Sequence, residues 1–302
     1  MELNDNNTIE YACNFYMHTP KYLALSSRSQ RDYASNLNKM CATKVHNNKS
    51  IGRIKLRDFR YKHITVAYDL WQNTIGVRQA NYVATCLSIV LNTAIKHEAL
   101  VTNPVSLLDR TKEKQRKVRW SEDQVKLFLD TAYSQWRWRS IGLIVHMQYD
   151  WAQRVGDMRL LKWCDVDLKN KRLDLEQSKR RADVHLPIND KLCAMLIQQK
   201  KDFGFQQYVA PQVEPRNGAY VPYADVDIHI AVNEVKKVAG LATNITAMDL
   251  RRSGITEMVE AGVDTFEIMQ VTGHSNPQSV TPYLVNTLRG ASSALSKRNK
   301  DK

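Results

Sequence analysis

No stretch of this 302-residue chain approaches the length of about 18 consecutive apolar residues that a membrane-spanning helix needs. The opening residues, MELNDNNTIEY, are acidic and polar and lack the basic and apolar regions of a signal peptide, so a cytoplasmic protein is expected. Five cysteines, Cys13, Cys41, Cys86, Cys164 and Cys193, lie scattered without a CxxC or Cys/His spacing suited to zinc. Reduced thiols are therefore expected, and neither a metal site nor a cofactor. Internal repeats and low-complexity tracts are also lacking, which excludes solenoids and long disordered linkers. What the chain has in excess is positive charge: 44 Lys and Arg against 31 Asp and Glu give a formal net charge of +13. That is more than solubility requires, and it draws polyanions. With no membrane signal, nucleic acid is the expected partner.

The length suits two domains, each able to bury a core. Up to about Val101 the pattern is helical, with helices expected over 9–18, 27–44, 56–73 and 77–100. The last carries Ala80, Val83, Ala84, Leu87, Val90, Leu91 and Ala94 at the spacing of one buried stripe. TNPV stops it, and the charged DRTKEKQRK, residues 109–117, reads as part of a linker. A second domain starts at WSEDQ, where Ser121 and Gln124 form a capping box. An apolar helix over 141–149 follows. RLDLEQS (172–178) and DVHLPI (183–188) alternate apolar and polar residues, and with a short strand at 166–168 they make a small antiparallel sheet. Helices resume near Leu192 and over 228–239. Another is capped by Thr246 and stopped at Gly262, and a short one runs from Asp264 to Gly273.

Four places hold polar residues that packing does not explain. In QRVGDMRLLKWCDVDL, Arg154 and Asp157 stand one turn apart, so the carboxylate can hold the guanidinium in a fixed pose. Exposed pairs of that spacing are common and nearly neutral in energy, so spacing alone favours a surface ion pair. SKRRA puts Lys179, Arg180 and Arg181 at a hairpin tip, which can touch phosphate or simply be solvated. Arg251 and Arg252 come early in a helix, where the macrodipole prefers acids, and bound phosphate would supply a reason for them. In TGHSNPQSVTPYLVNTLRG, His274 follows Gly273, and Thr281-Pro282 reads as the N-cap and first residue of a last helix. Tyr283 would stand in its first turn, where free N–H groups favour an anion. Taken singly, a structural histidine and an amphipathic tyrosine explain that segment as well.

In this order the four places resemble the catalytic domain of the tyrosine recombinases, the phage integrase family, over about residues 118–290. Arg154 and Asp157 with Leu161, Trp163 and Asp165 look like the first-arginine box. QSKRRADVHLPI is similar to the hairpin that carries the catalytic lysine, which falls on Lys179. MDLRRSGITEMVEAGVDTFEIMQVTGHSNPQSVTPY resembles the second-arginine box through to the tyrosine, with Arg251, His274 and Tyr283 in place. Met248 stands where the family usually has histidine, three residues before the arginine. WAQ precedes Arg154 where a glycine-containing turn is common, and Pro282 beside the tyrosine is unusual. Residues 8–104 are similar in length and helical character to the family's core-binding domain.

The resemblance implies a mainly α fold with a small antiparallel β-sheet: a helical core DNA-binding domain (1–104), a linker (105–117) and an α+β catalytic domain (118–302) with a tail from about 284. No additional N-terminal arm-binding domain is expected. The implied function is site-specific recombination that cuts and rejoins DNA through a covalent 3′-phosphotyrosyl intermediate, without metal or ATP. Tyr283 would be the nucleophile, and Arg154, Arg251 and His274 would hold the non-bridging oxygens. Lys179 would protonate the 5′ oxygen, Asp157 would support Arg154, and Arg180, Arg181 and Arg252 would contact DNA. Double-stranded DNA is the implied partner, bound by a homotetramer on two DNA sites, with a monomer or weak oligomer off DNA. Two alternatives remain at this point. One is a catalytically impaired DNA-binding protein, because a thioether at Met248 cannot take a proton at neutral pH. The other is a type IB topoisomerase, which shares the chemistry.

Overall fold

Several helices of this chain begin where a short side-chain oxygen accepts an N–H group of the first turn. Thr8, Thr19 and Ser26 do so for α1 (Ile9–Met17), α2 (Pro20–Leu23) and α3 (Ser27–Ala42). The computed structural model describes residues 2–113, 116–179, 181–283, and beyond these 291, 292, 295, 296 and 298. They form two compact units that divide between Arg116 and Lys117.

In the first unit, Gly76, at φ 82°, joins α4 (Tyr61–Ile75) to α5 (Val77–Lys96). The seven stripe residues of α5 are all buried, and they share a core with Ile9, Leu37, Met40, Ile64 and Trp71. The helix expected from Leu56 starts five residues later. Leu56 and Arg57 spend their N–H groups on the carbonyls of Asn7 and Asp5, and a single 3₁₀ turn, Leu56–Asp58, precedes extended backbone at Phe59. The apolar pair Leu56 and Phe59 is buried all the same, so the apolar period there reflects burial and not helix.

The second unit is built around α7 (Arg139–Asp150), whose residues from Ser140 to Gln148 are all buried, as expected of a helix covered on every side. Against it pack α6 (Glu122–Tyr133), which carries the Ser121–Gln124 capping box, α8 (Val155–Arg159), α9 (Asp190–Phe203), α10 (Asp225–Val238) and α11 (Ala247–Glu260). The sheet is antiparallel in the order β1 (Val166–Asp167), β2 (Arg172–Glu176), β3 (Asp183–Pro187). Leu173 pairs with Leu186 and Leu175 with Val184, all four facing the core. α12 (Thr265–Thr272), capped by Asp264 and Glu267, lies against β3 and α11. Neither α2 nor α8 was visible in the sequence pattern, because each is too short for a period to emerge.

The chain enters this unit along α11. The Trp120 N–H donates to Ser253 Oγ and its indole N–H to the Thr246 carbonyl, both at 2.8 Å, while Arg119 pairs with Glu260 at 2.7 Å. The last helix expected after Thr281 takes a different form over the described residues. Thr281–Tyr283 is a 3₁₀ turn in which the Tyr283 N–H donates to the Val280 carbonyl, and residues 284–290 lie outside the described residues. The free N–H group expected at Tyr283 is therefore already used. Among the described residues no helix is long and apolar enough to cross a membrane.

Candidate active site

After α7 the chain turns through Trp151 and Ala152, the latter at φ 48°, a left-handed conformation that an alanine adopts at some cost. Its methyl is buried with Ile255, Ile268 and Val280, contacts that a glycine there would forgo. The turn delivers Gln153, fully buried, and Arg154, which stands at the N-cap of α8.

Arg154 and Asp157 do face each other, but at 3.8 Å, and each has a nearer partner. Arg154 Nη1 donates to Gln177 Oε1 at 2.8 Å. Asp157 Oδ1 accepts from the Ser178 backbone N–H at 3.0 Å and from its hydroxyl at 2.5 Å. The Asp157 side chain is almost wholly buried while Arg154 keeps about a quarter of its surface, so this is no surface ion pair. The carboxylate fastens the base of the hairpin, and the guanidinium stays partly exposed.

On α11, Thr246 and Asp249 form a capping box, which places Arg251 one turn inside the helix on its buried side. Its Nη2 donates to the Thr272 carbonyl at 2.8 Å and lies 3.3 Å from His274 Nε2. Its Nη1 is buried without a hydrogen-bond partner of ordinary geometry among the described residues. Burial, and after it the charge of Arg154, lowers the Arg251 pKa to about 10, and the nearby Tyr283 and Asp157 only partly oppose this. The Thr272 hydroxyl donates to the Ile268 carbonyl and so accepts from His274 Nδ1 at 2.7 Å. That fixes the proton on Nδ1 and turns Nε2 towards Arg251. Tyr283 completes the group, its ring centroid 6.1 Å from that of His274.

The structure thus gathers Arg154, Arg251, His274 and Tyr283 around one cluster, with Asp157 behind it. Lys179 is exposed in the hairpin turn directly after the anchored Ser178. Arg180 lies outside the described residues. Arg181, at φ 49°, is exposed and near Glu176 at 3.9 Å. Arg252, grouped at the outset with the DNA contacts, has its guanidinium 5.3 Å from the Tyr283 ring centroid and reaches the Pro282 carbonyl at 3.5 Å. Met248 is 66% exposed on the first turn of α11, outside the buried hydrogen-bond network.

Gln153 and Gln177 escaped the sequence reading. A signal existed for the second: the inward phase of its strand runs Leu173, Leu175, Gln177, which puts an amide at a core position. Gln153 carries no such mark, since nothing local distinguishes a buried glutamine from an exposed one.

The model of the phage integrase family matches residues 119–288. Tyrosine recombinase XerA of Pyrococcus horikoshii is 26% identical over 245 residues, which span 79% of this chain and 82% of that protein. Among solved structures, a lambda integrase dimer bound to a COC′ core site aligns with a TM-score of 0.74 at 19% identity, over 92% of this chain and 78% of that one. A lambda integrase tetramer bound to a Holliday junction gives 0.75 at 18%, over 95% and 80%. The Tn1549 transposon integrase in complex with a circular intermediate DNA gives 0.76 at 14%, over 96% and 99%. At these identities the structural likeness speaks to the fold.

Proposed function

Because the chain belongs to the phage integrase family, we propose that it is a site-specific DNA recombinase that breaks and rejoins strands through a tyrosine at position 283. The observation that carries the reading is Arg251: a guanidinium that is almost wholly buried beside a second cation, Arg154, with His274 and Tyr283 next to it, is a site that favours an anion. A DNA phosphate supplies it. Attack by the Tyr283 oxygen on phosphorus, with its phenol proton passing to solvent water, forms the 3′-phosphotyrosyl bond as the bond to the 5′ oxygen breaks. Arg154 and Arg251 balance charge on the non-bridging oxygens through planar forks. His274 can join them through Nε2 only as the doubly protonated ring, since Nδ1 is engaged with Thr272. Lys179, exposed on the hairpin, protonates the departing 5′ oxygen. The new ester conserves the energy of the old one, so rejoining needs no ATP.

Exchange between two sites calls for four active sites, and a homotetramer on two duplexes is the assembly this chemistry requires. Lambda integrase crystallised as dimers and as a tetramer on DNA supports that expectation. Met248 favours a second reading, a DNA-binding protein of the same fold with impaired catalysis.

A nicked suicide duplex separates the two. Wild type is expected to accumulate a covalent adduct on a denaturing gel and Tyr283→Phe none, and unchanged trapping in the phenylalanine variant would remove Tyr283 from the role. Tight binding by wild type without any adduct would establish the second reading. Met248→His is expected to cleave faster, by no more than the roughly 10²- to 10⁴-fold that a positioned proton-transfer group supplies. A variant with no gain would discard proton transfer at position 248 as the limiting step.

A further inference from the structure

Gln153 and Gln177 are fully buried, and a buried amide is costly unless its oxygen and both its protons are used. Gln177 Oε1 accepts from Arg154 Nη1 at 2.8 Å. Its Nε2 donates to Gln153 Oε1 at 2.6 Å and to the Thr272 carbonyl at 2.9 Å. Gln153 Nε2 in turn donates to the carbonyls of Trp151 and Val271, both at 2.7 Å. Every polar atom of the pair is engaged. The Thr272 carbonyl is also the acceptor for Arg251 Nη2, at 2.8 Å. Gln177 therefore touches one arginine directly and shares an acceptor with the other.

We infer that Gln177 is a positioning residue that holds the Arg154 guanidinium at a fixed offset from Arg251, so that both forks meet one phosphate. A neutral amide suits this place. A carboxylate would compete with the phosphate for Arg154 and would face the oxygens of Gln153 and Thr272. An aliphatic side chain of the same length would leave the guanidinium free to swing. The fold reserves the space: a Cβ on residue 273 would fall 2.7 Å from Gln177 Oε1, and the residue there is glycine.

The inference rests on the proposed role of Arg154 at a non-bridging oxygen, and the test separates the two. Single-turnover cleavage is measured on three suicide duplexes. One is unmodified, one carries a methylphosphonate at the scissile position, with less charge for an arginine to balance, and one has sulfur as the bridging 5′ atom, which leaves without a proton. Gln177→Met, with DNA affinity unchanged, is expected to cleave the unmodified duplex about 100-fold more slowly, the scale of a misplaced reacting group. That deficit should shrink on the methylphosphonate and persist on the sulfur substrate. Arg154→Ala should follow the same pattern and Lys179→Ala the reverse. If Gln177→Met cleaves normally, or keeps its deficit on the methylphosphonate while Arg154→Ala is relieved there, the inference fails and the role of Arg154 stands. If Arg154→Ala has no deficit that the methylphosphonate relieves, the role of Arg154 fails and the inference with it. Should Gln177→Met not fold by circular dichroism, Gln177→Glu carries the same comparison. It keeps an acceptor for Arg154 but adds a competing charge, and its deficit must likewise be relieved on the methylphosphonate.

Discussion

Arg251 brings a permanent charge into a position only 7% exposed, and burial together with Arg154 lowers its pKa to about 10. A cation in that setting is stabilised when an anion arrives and opposes folding until then. Arg251→Met fills similar space without charge. It is expected to raise the unfolding free energy of the DNA-free protein by about 1 kcal/mol while abolishing adduct formation. Urea denaturation and the suicide assay read the two effects separately. A fall in stability of that size would mean that the bond to the Thr272 carbonyl outweighs the buried charge. His274 is likewise held in place, through the contact of its Nδ1 with the Thr272 hydroxyl. At the residue scale, then, a buried cation is held in place by a neutral carbonyl acceptor.

α12 ends at Gly273 in the left-handed region, at φ 67°, with Gln177 packed where a side chain would be. Gly273→Ala is expected to cost about 1–3 kcal/mol and to slow cleavage by displacing Gln177. Thermal melting checks the first effect, and a variant that melts with wild type would show that the turn relaxes freely. This turn was legible in advance because its signals are local: a capping box at Asp264 and Glu267, an apolar stretch, then glycine. The same holds for Thr246 before α11, and for β2 and β3, whose alternation survives without any knowledge of the fold. The start of α4 was not legible, since the N–H groups of Leu56 and Arg57 are taken by the carbonyls of Asn7 and Asp5, contacts that no local period encodes. The ordered charged residues pointed to Arg154, Arg251, His274 and Tyr283. Their spacing could not show that Arg154 leans on Gln177 more closely than on Asp157, because that preference belongs to the meeting of two distant segments.

Across the whole molecule the net charge of +13 attracts the phosphate backbone of DNA. Affinity for a duplex of any sequence is expected to fall steeply with salt, by about 10³- to 10⁵-fold between roughly 50 and 200 mM if about 6–10 phosphates are neutralised. Fluorescence anisotropy across a salt series measures this, and a flat dependence would contradict a phosphate-driven grip. The two units have separate cores, and the chain that enters the second fastens at Arg119 and Trp120. All three of those bonds end on α11 or its cap, at Thr246, Ser253 and Glu260, and Arg251 stands between the first two. Seen mechanically, tension applied ahead of residue 117 is loaded onto that helix first, so the handle by which the second unit can be pulled is bolted to the helix that carries Arg251.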